Sequence, residues 1–481
     1  MDASTDTLYL KIADAMTQQI RSGTLPRGER IPSVRRMASQ QGVSPSTVVQ
    51  AYRLLEDARL IEVRPRSGYF VASRAPELPE PAPSRPPRRA VNVGISELVT
   101  RITGLAHDPE VVSFGAACPG ESLLSHERVR LALSRATQRH RHSLSVYPLG
   151  PGDEALRRAV ARHALRMGCH IDAQDVLITS SCLESITLCL RAVTQPGDTV
   201  ALESPTFYGF LQILEHLGLR ALEIPTHPRT GLSLDALQLA LDTQPIKAVL
   251  AVPTLSNPLG SSMPVAERKR LAQMLARHKV PLIEDVLYND LCDDEDRRRA
   301  VQAFDTAQQV MLCGSFTKTI APGLRLGWLV SPPRLTEKLQ RLKAATSGSE
   351  MVVVQRALAD LLTQPGIEAS YRQLRATVAT RMDEVRHIVS RHFPKGTRMT
   401  SPAGGFILWL ELPGGRDAMA LHEACLAEGL CISPGGLFSS GRRFDHCMRL
   451  SVGGAWGPRE RRALARVGEL AQALPTKANE A

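Results

Sequence analysis

Between about residues 145 and 345 the chain alternates short, unbroken apolar runs with amphipathic windows. The runs are Val176-Leu177-Ile178-Thr179, Thr199-Val200-Ala201-Leu202, Ala248-Val249-Leu250-Ala251-Val252, Pro281-Leu282-Ile283-Glu284 and Val310-Met311-Leu312-Cys313. A helical window from about Leu183 to Val193 follows the first. Runs without polar alternation predict strands covered on both faces, so the fold class is α/β with a mostly parallel sheet. Ligands bind such sheets at the carboxyl ends of the strands, where Ser181, Asn257, Asp285 and Lys318 fall. Beyond about residue 345 the pattern changes to long helices, about 350–362 and 367–391, with few strands. This predicts a large lobe at about 145–345 and a smaller lobe from about 91–144 plus 346–481. No internal repeat is visible.

The first 74 residues carry a different pattern. Leu8, Ile12, Ala15, Met16 and Ile20 recur at helical spacing and predict the buried face of a first helix. Ser33 is placed to cap a second helix from Val34 to Gln40, Gly42 supplies a turn, and Ser44 caps a third helix that opens on Pro45. Two short helices joined by a glycine turn predict a helix-turn-helix. The third helix is expected to present Ser46, Thr47 and Gln50 outward and to bury Val48, Ala51, Leu54 and Leu55. Leu60 to Val71 then predicts a two-stranded ribbon turning at Ser67-Gly68, with Arg64 and Arg66 at its tip. Hydroxyls on a helix suit a major groove, and an arginine-tipped wing suits a minor groove or phosphates.

Residues 75–90 are proline-dense and nearly devoid of large apolar side chains, which predicts an extended, semi-rigid spacer between head and body (91–481). The net charge of +11 over 481 residues favours a polyanionic partner but does not identify one. Nine scattered cysteines without CxxC or metal-type spacing read as reduced thiols of a cytoplasmic protein that binds no metal. The N-terminus lacks the pattern of a secretory signal, and no apolar run approaches a membrane span.

In Gly314-Ser315-Phe316-Thr317-Lys318, a lysine follows two hydroxyls, and Arg325 comes seven positions later. That set holds a phosphate-bearing aldehyde: hydroxyls and guanidinium on the phosphate, the amine in a Schiff base with the carbonyl. The remaining demands of pyridoxal 5′-phosphate (PLP) have candidates in order along the chain. Asp285 keeps the pyridine nitrogen protonated, Tyr288 and Asn257 donate to the ring hydroxyl, and Phe207 covers one ring face. Ser181, Cys182 and Leu183 offer hydroxyl and helix-start amides to the phosphate.

Leu25-Pro26-Arg27-Gly28-Glu29-Arg30-Ile31-Pro32-Ser33-Val34-Arg35, Gly42-Val43-Ser44 and Ser67-Gly68-Tyr69-Phe70-Val71 resemble the GntR winged-helix family. The resemblance implies a double-stranded DNA operator contacted by Arg35, Ser46, Thr47, Arg64, Arg66 and Gly68. The PLP set, with Tyr147-Pro148-Leu149-Gly150, Pro402-Ala403-Gly404-Gly405-Phe406, Pro434-Gly435 and Arg449-Leu450-Ser451, resembles fold-type I aminotransferases across the body. That resemblance assigns Tyr147 to the cofactor phosphate of a neighbouring subunit, implying a head-to-tail homodimer, and Arg449 to the α-carboxylate of an amino acid. It also marks Ser181 as standing where a glycine is usual. Together the halves resemble the MocR subfamily of GntR regulators. The implied function is a PLP-dependent transcriptional regulator that senses an amino acid or amine through an external aldimine at Lys318. A working aminotransferase with a DNA-binding head is the alternative, since every residue that transamination needs is present.

Overall fold

The computed structural model describes residues 5–21, 24–26, 28–57, 60–64, 67–72, 78–104, 110–145, 147–441 and 443–476. They form two compact units, 1–76 and 77–481.

In the first unit, helices Thr5–Arg21, Val34–Gln41 and Pro45–Asp57 precede an antiparallel ribbon, Ile61–Arg64 with Gly68–Val71. The caps work as the sequence predicts. Ser33 Oγ accepts from Arg36 N at 3.3 Å, Gly42 takes the left-handed conformation, and Ser44 Oγ accepts from Thr47 N at 3.2 Å. Helix phases differ from expectation in two places. The first helix buries Ile12, Ala13 and Met16 while Leu8 and Ala15 face solvent, because the stripe turns toward the flank shared with Tyr9 and Ile20. In the third helix Thr47 is buried and Leu54 exposed, reversing both assignments. Tyr52 takes the inward position instead, and its hydroxyl donates to the Pro32 carbonyl at 2.8 Å, which pins the third helix to the segment before the second.

The second unit is built on a nine-stranded sheet. Its order is Val91–Asn92, Arg220–His227, Thr199–Ser204, Ile246–Ala251, Leu282–Asp285, Val310–Ser315, Gly327–Val330 and Val176–Thr179, with Gly231–Leu232 pairing off Arg220–His227. The five strands from Arg220–His227 to Val310–Ser315 run parallel, and Gly327–Val330 is antiparallel to both its neighbours. All five predicted strands are present, and apart from Lys247 at the start of Ile246–Ala251 they are buried along their length, as unbroken apolar runs require. The two long helices are Val352–Thr363 and Ile367–His392. A second core, including Met382, Val385, Phe406, Leu408, Leu450 and Leu464, joins Ile367–His392 to a four-stranded sheet (Arg398–Met399, Ile407–Glu411, Cys447–Ser451, Ser433–Pro434).

Residues 91–144, expected in the smaller lobe, mostly pack elsewhere. Val91–Asn92 extends the large sheet, Ile95, Val99 and Ile102 join its core, and Ala132 and Ala136 pack with the Val176–Thr179 side of it. Residues 112–123 join the second lobe: Val112–Ser113 pairs with Leu430–Cys431, Phe114 lies in its core and bonds to Cys431 and Ser451, and Gly120 and Ser122 bond to Gly453 and Arg381.

Residues 78–90 of the proline-rich segment form no helix or strand, as their composition dictates, and they lie bonded to the body. Ser84 N donates to the Thr226 carbonyl at 3.3 Å, Ser84 Oγ donates to the Ser204 carbonyl at 2.5 Å, and Thr226 N donates back to Ser84 Oγ at 3.0 Å. Glu80 pairs with Arg229 at 2.5 Å, Met399 N donates to the Pro79 carbonyl, and Arg443 and Gln244 donate to the carbonyls of Arg85 and Arg88. Prolines leave the carbonyls of the segment unspent, and polar groups of the body take them up.

Candidate cofactor site and DNA-binding face

Three strand ends and two helix starts meet around Lys318. The lysine follows Val310–Ser315, and its Nζ donates to the Ala117 carbonyl at 2.6 Å. Burial depresses its ammonium below the usual lysine value. Arg449 and Arg325 push the same way, while Cys118 and Asp285 oppose. A neutral amine is the form that attacks a carbonyl, so this environment primes the nucleophile.

Asp285 ends the neighbouring parallel strand. It accepts from Leu287 N at 2.8 Å and from the Cys182 thiol at 3.4 Å, and burial raises its carboxyl to about 6, with Lys318 acting against the rise. Behind it, Glu203 accepts from Val252 N at 3.0 Å, and Glu284 accepts from Val301 N at 2.8 Å and Gln302 N at 3.0 Å. Burial lifts these to about 8 and about 7. All three bind a proton more tightly folded than unfolded, so their stabilising contribution is present at low pH and fades as pH rises through 6 to 8. The thermal midpoint of cofactor-free protein is therefore expected to fall between pH 6 and 8.5, each unit of displacement being worth about 1.4 kcal/mol. A midpoint that held steady or rose across that range would remove this account of the three carboxyls.

The residues expected around a phosphate sit on neighbouring elements, Ser315 pairing with Gly327 and Gly327 with Thr179. Ser181 caps Cys182–Val193, accepting from Glu184 N at 3.1 Å, while Glu184 accepts from Ser180 N at 2.5 Å. The amides of Cys182 and Leu183 open that helix without intrahelical partners. A Cβ on Gly327 would lie 2.4 Å from the Ser181 carbonyl carbon, so glycine there is what lets the turn sit against the sheet. Ser315 and Thr317 bond through their hydroxyls. Arg325 is exposed, in the left-handed region at φ 50°; its amide donates to the Pro322 carbonyl, while its guanidinium has no hydrogen-bond or ion-pair partner among the described residues.

Asn257 and Arg449 form the opposite wall. Arg449 is fully buried; Nη1 donates to Asn257 Oδ1 at 3.0 Å, and Nη2 to the Gly115 carbonyl at 2.5 Å and Ser433 Oγ at 3.3 Å. Its Nε has no partner, and the guanidinium carbon lies 5.0 Å from the Phe438 ring centre and 5.8 Å from that of Tyr208. Phe207 starts Tyr208–His216, its ring 4.6 Å from Tyr208. Tyr288 is buried, 5.9 Å from Phe406, and its phenol is raised by burial. Tyr147 stands apart from this cluster and is 79% exposed.

Sequence reasoning overlooked the segment from Gly115 to Cys118, which binds both Lys318 and Arg449 through carbonyls, and Arg268. That arginine is fully buried and donates to Met263 O, Pro253 O, Thr254 Oγ1 and Arg299 O, clamping the loop that carries Asn257. Backbone acceptors leave no mark on composition, though the two glycines and the proline of 115–120 signal an irregular, closely packed turn.

The residues fit PLP. An uncommitted cation beside two hydroxyls and open helix amides matches a phosphate, Asp285 has no fixed cationic partner and suits a pyridinium, and Lys318 supplies the amine. When bound, that cofactor offers an aldehyde and an electron-withdrawing ring.

On the first unit, Arg35, Ser46 and Gln50 are exposed, and Gly68 opens the second strand of the ribbon opposite Arg64. Thr47 is turned inward, its Oγ1 2.8 Å from Ser44 Oγ. Arg66 and the Arg64 side chain lie outside the described residues. No helix among the described residues is long and apolar enough to cross a membrane, and among them no cluster of metal-ligating side chains forms.

The family "Aminotransferase class I and II" matches residues 115–465, and "Bacterial regulatory proteins, gntR family" matches residues 8–71. The chain is 36% identical to the HTH-type transcriptional regulator YjiR of Escherichia coli (strain K12), over 96% of this chain and 98% of that protein. It is 35% identical to the regulator YdcR of the same organism, over 96% and 99%. Among solved structures, the kynurenine aminotransferase of Pyrococcus horikoshii superposes with a TM-score of 0.73 at 25% identity, over 78% of this chain and 94% of that one. With a winged DNA-binding head and a pyridoxal-phosphate body in one polypeptide, the chain belongs to the GntR family of bacterial transcriptional regulators, in the MocR architecture that carries a class I and II aminotransferase domain.

Proposed function

We propose that this regulator senses an amino compound bearing a carboxylate, captured at Lys318 and Arg449, and reports it to an operator. The observation that carries this reading is Arg449. A fully buried guanidinium with an unpartnered Nε, beside the Lys318 cleft, is a receptor for a planar anion. With the cofactor bound, Lys318 would be its covalent tether and Arg449 the seat for a carboxylate, so an amino compound taking that site would favour one arrangement of the two lobes over another. The DNA contacts fall to Arg35, Ser46 and Gly68, with Arg64 and Arg66 on the wing and Thr47 shaping the helix from inside. Leu144, Tyr147, Leu149 and Met351 are all exposed, and Tyr147 lies near Gly348. An apolar surface of this kind supports a homodimer in which Tyr147 serves the partner's cofactor. The cytoplasm is the compartment where such a regulator meets DNA.

Footprinting on the adjacent promoter region tests the reading. Protection is expected to change in extent or position when PLP-loaded protein meets the right amino acid from a panel, and not with the matching carboxylic acid lacking the amine. Protection indifferent to every amine, and to removal of PLP, would overturn it. Turnover is the second reading, favoured by the depressed Lys318 ammonium. Repeated conversion of amino acid to keto acid, rather than a single binding event at the cofactor absorption bands, would put catalysis first.

A further inference from the structure

A cavity of about 150 Å³ lies between residues 122–129, the Thr319-Ile320 pair directly after Lys318, and the first turns of Ile367–His392. None of the residues placed around Lys318 above lines it. A void of this size holds a molecule of roughly the bulk of a six-carbon ring.

Its two ends differ in chemistry. At one, Arg128 Nη1 donates to Ser370 Oγ at 2.6 Å and more weakly to the Gly366 carbonyl at 3.5 Å. Among the described residues no carboxylate pairs with Arg128, so most of its fork of donors is free beside the Ser370 hydroxyl and Ser125. A guanidinium in that condition suits a carboxylate. At the other end Ile320, Leu361 and Leu374 make an apolar wall, and all three are buried. Thr319 is also buried, and its Oγ1 faces the Tyr371 hydroxyl without a well-formed hydrogen bond. A buried hydroxyl that is weakly paired gains from a polar ligand atom.

We propose that this cavity is a second ligand site, separate from the cofactor cleft, for a short aliphatic monocarboxylate of about six carbons, a length matched to a void of this size. The carboxylate sits on Arg128 and the chain lies against Ile320, Leu361 and Leu374. The amides of Thr319 and Ile320 donate to the Phe316 carbonyl at 3.4 and 2.9 Å, so the cavity wall and Lys318 share one tight turn. Occupancy is thereby coupled to the setting of the lysine.

Calorimetric titration of PLP-loaded protein with hexanoate tests this, with hexyltrimethylammonium, which cannot form a Schiff base, as the charge-reversed probe. Hexanoate is expected to bind saturably and hexyltrimethylammonium not at all. Arg128→Gln, a half-buried change, is expected to weaken hexanoate by about tenfold, the loss of a charge-assisted bond. Leu374→Trp is expected to fill the cavity and abolish binding, with circular dichroism to verify its fold. Arg449→Gln is expected to leave hexanoate binding unchanged. No saturable binding would overturn the proposal. So would binding that survives Arg128→Gln undiminished, or that disappears with Arg449→Gln, since the latter places the acid in the cofactor cleft.

Discussion

Replacing Lys318 with alanine is expected to strip the protein of its cofactor on dialysis and to abolish the absorption band of lysine-bound PLP. The remaining holds are Arg325, the Ser315 and Thr317 hydroxyls, the amides at the start of Cys182–Val193, and Asp285, none of them covalent. A loss of affinity on the order of 100-fold, about 2.7 kcal/mol, is the least that removal of the covalent anchor should cause. The fold should survive, because the lysine gives up a single hydrogen bond, to the Ala117 carbonyl. Operator occupancy by this variant is expected to become indifferent to amines. A variant that keeps the band would sink the assignment of Lys318.

Arg449→Gln should have the second large effect, and in a different quantity. Truncation withdraws donors from Asn257 Oδ1, the Gly115 carbonyl and Ser433 Oγ at once, all in a site closed to water. Loss of one partner from a buried, hydrogen-bonded charge site costs about 2–5 kcal/mol, so response to amino acids should weaken by about 30-fold or more. PLP retention should persist, because Arg449 is not among the phosphate or Schiff-base groups. Simple amines without a carboxylate should act at unchanged concentrations, which a merely structural role would not predict. Lysine at this position should not rescue, since it lacks the planar fork. Equal losses for amines and amino acids, measured by titrating the cofactor band, would argue that Arg449 only props the wall.

Much of this was legible in sequence because the relevant signals are local. Unbroken apolar runs such as Val310-Met311-Leu312-Cys313 have one economical fate, and the chemistry follows at their ends. Caps are equally local, and Ser33 and Ser44 both serve as their positions suggest. Helix phase is less local. Thr47 and Leu54 exchange roles because Tyr52, large and able to send its hydroxyl to Pro32, decides which face turns inward. The destination of residues 91–144 depends on which sheet edge is free and which helices need cover, a matter of tertiary packing rather than pattern. Arg268 looks like any surface arginine on an amphipathic helix, and only the carbonyls of Pro253, Met263 and Arg299 closing around it reveal a clamp.

The proline-rich segment carries a last consequence. By composition it advertises a place to cut: polar, extended, and carrying Arg88 and Arg89, each followed by a residue other than proline. A protease must peel an extended stretch away from its surroundings before its scissile bond can enter the enzyme. Here peeling would break the paired bonds of Ser84 with Ser204 and Thr226 and strip the Arg85 and Arg88 carbonyls of their donors. Susceptibility to trypsin thus follows bonding rather than composition, and the stretch that looks most open to digestion is held shut.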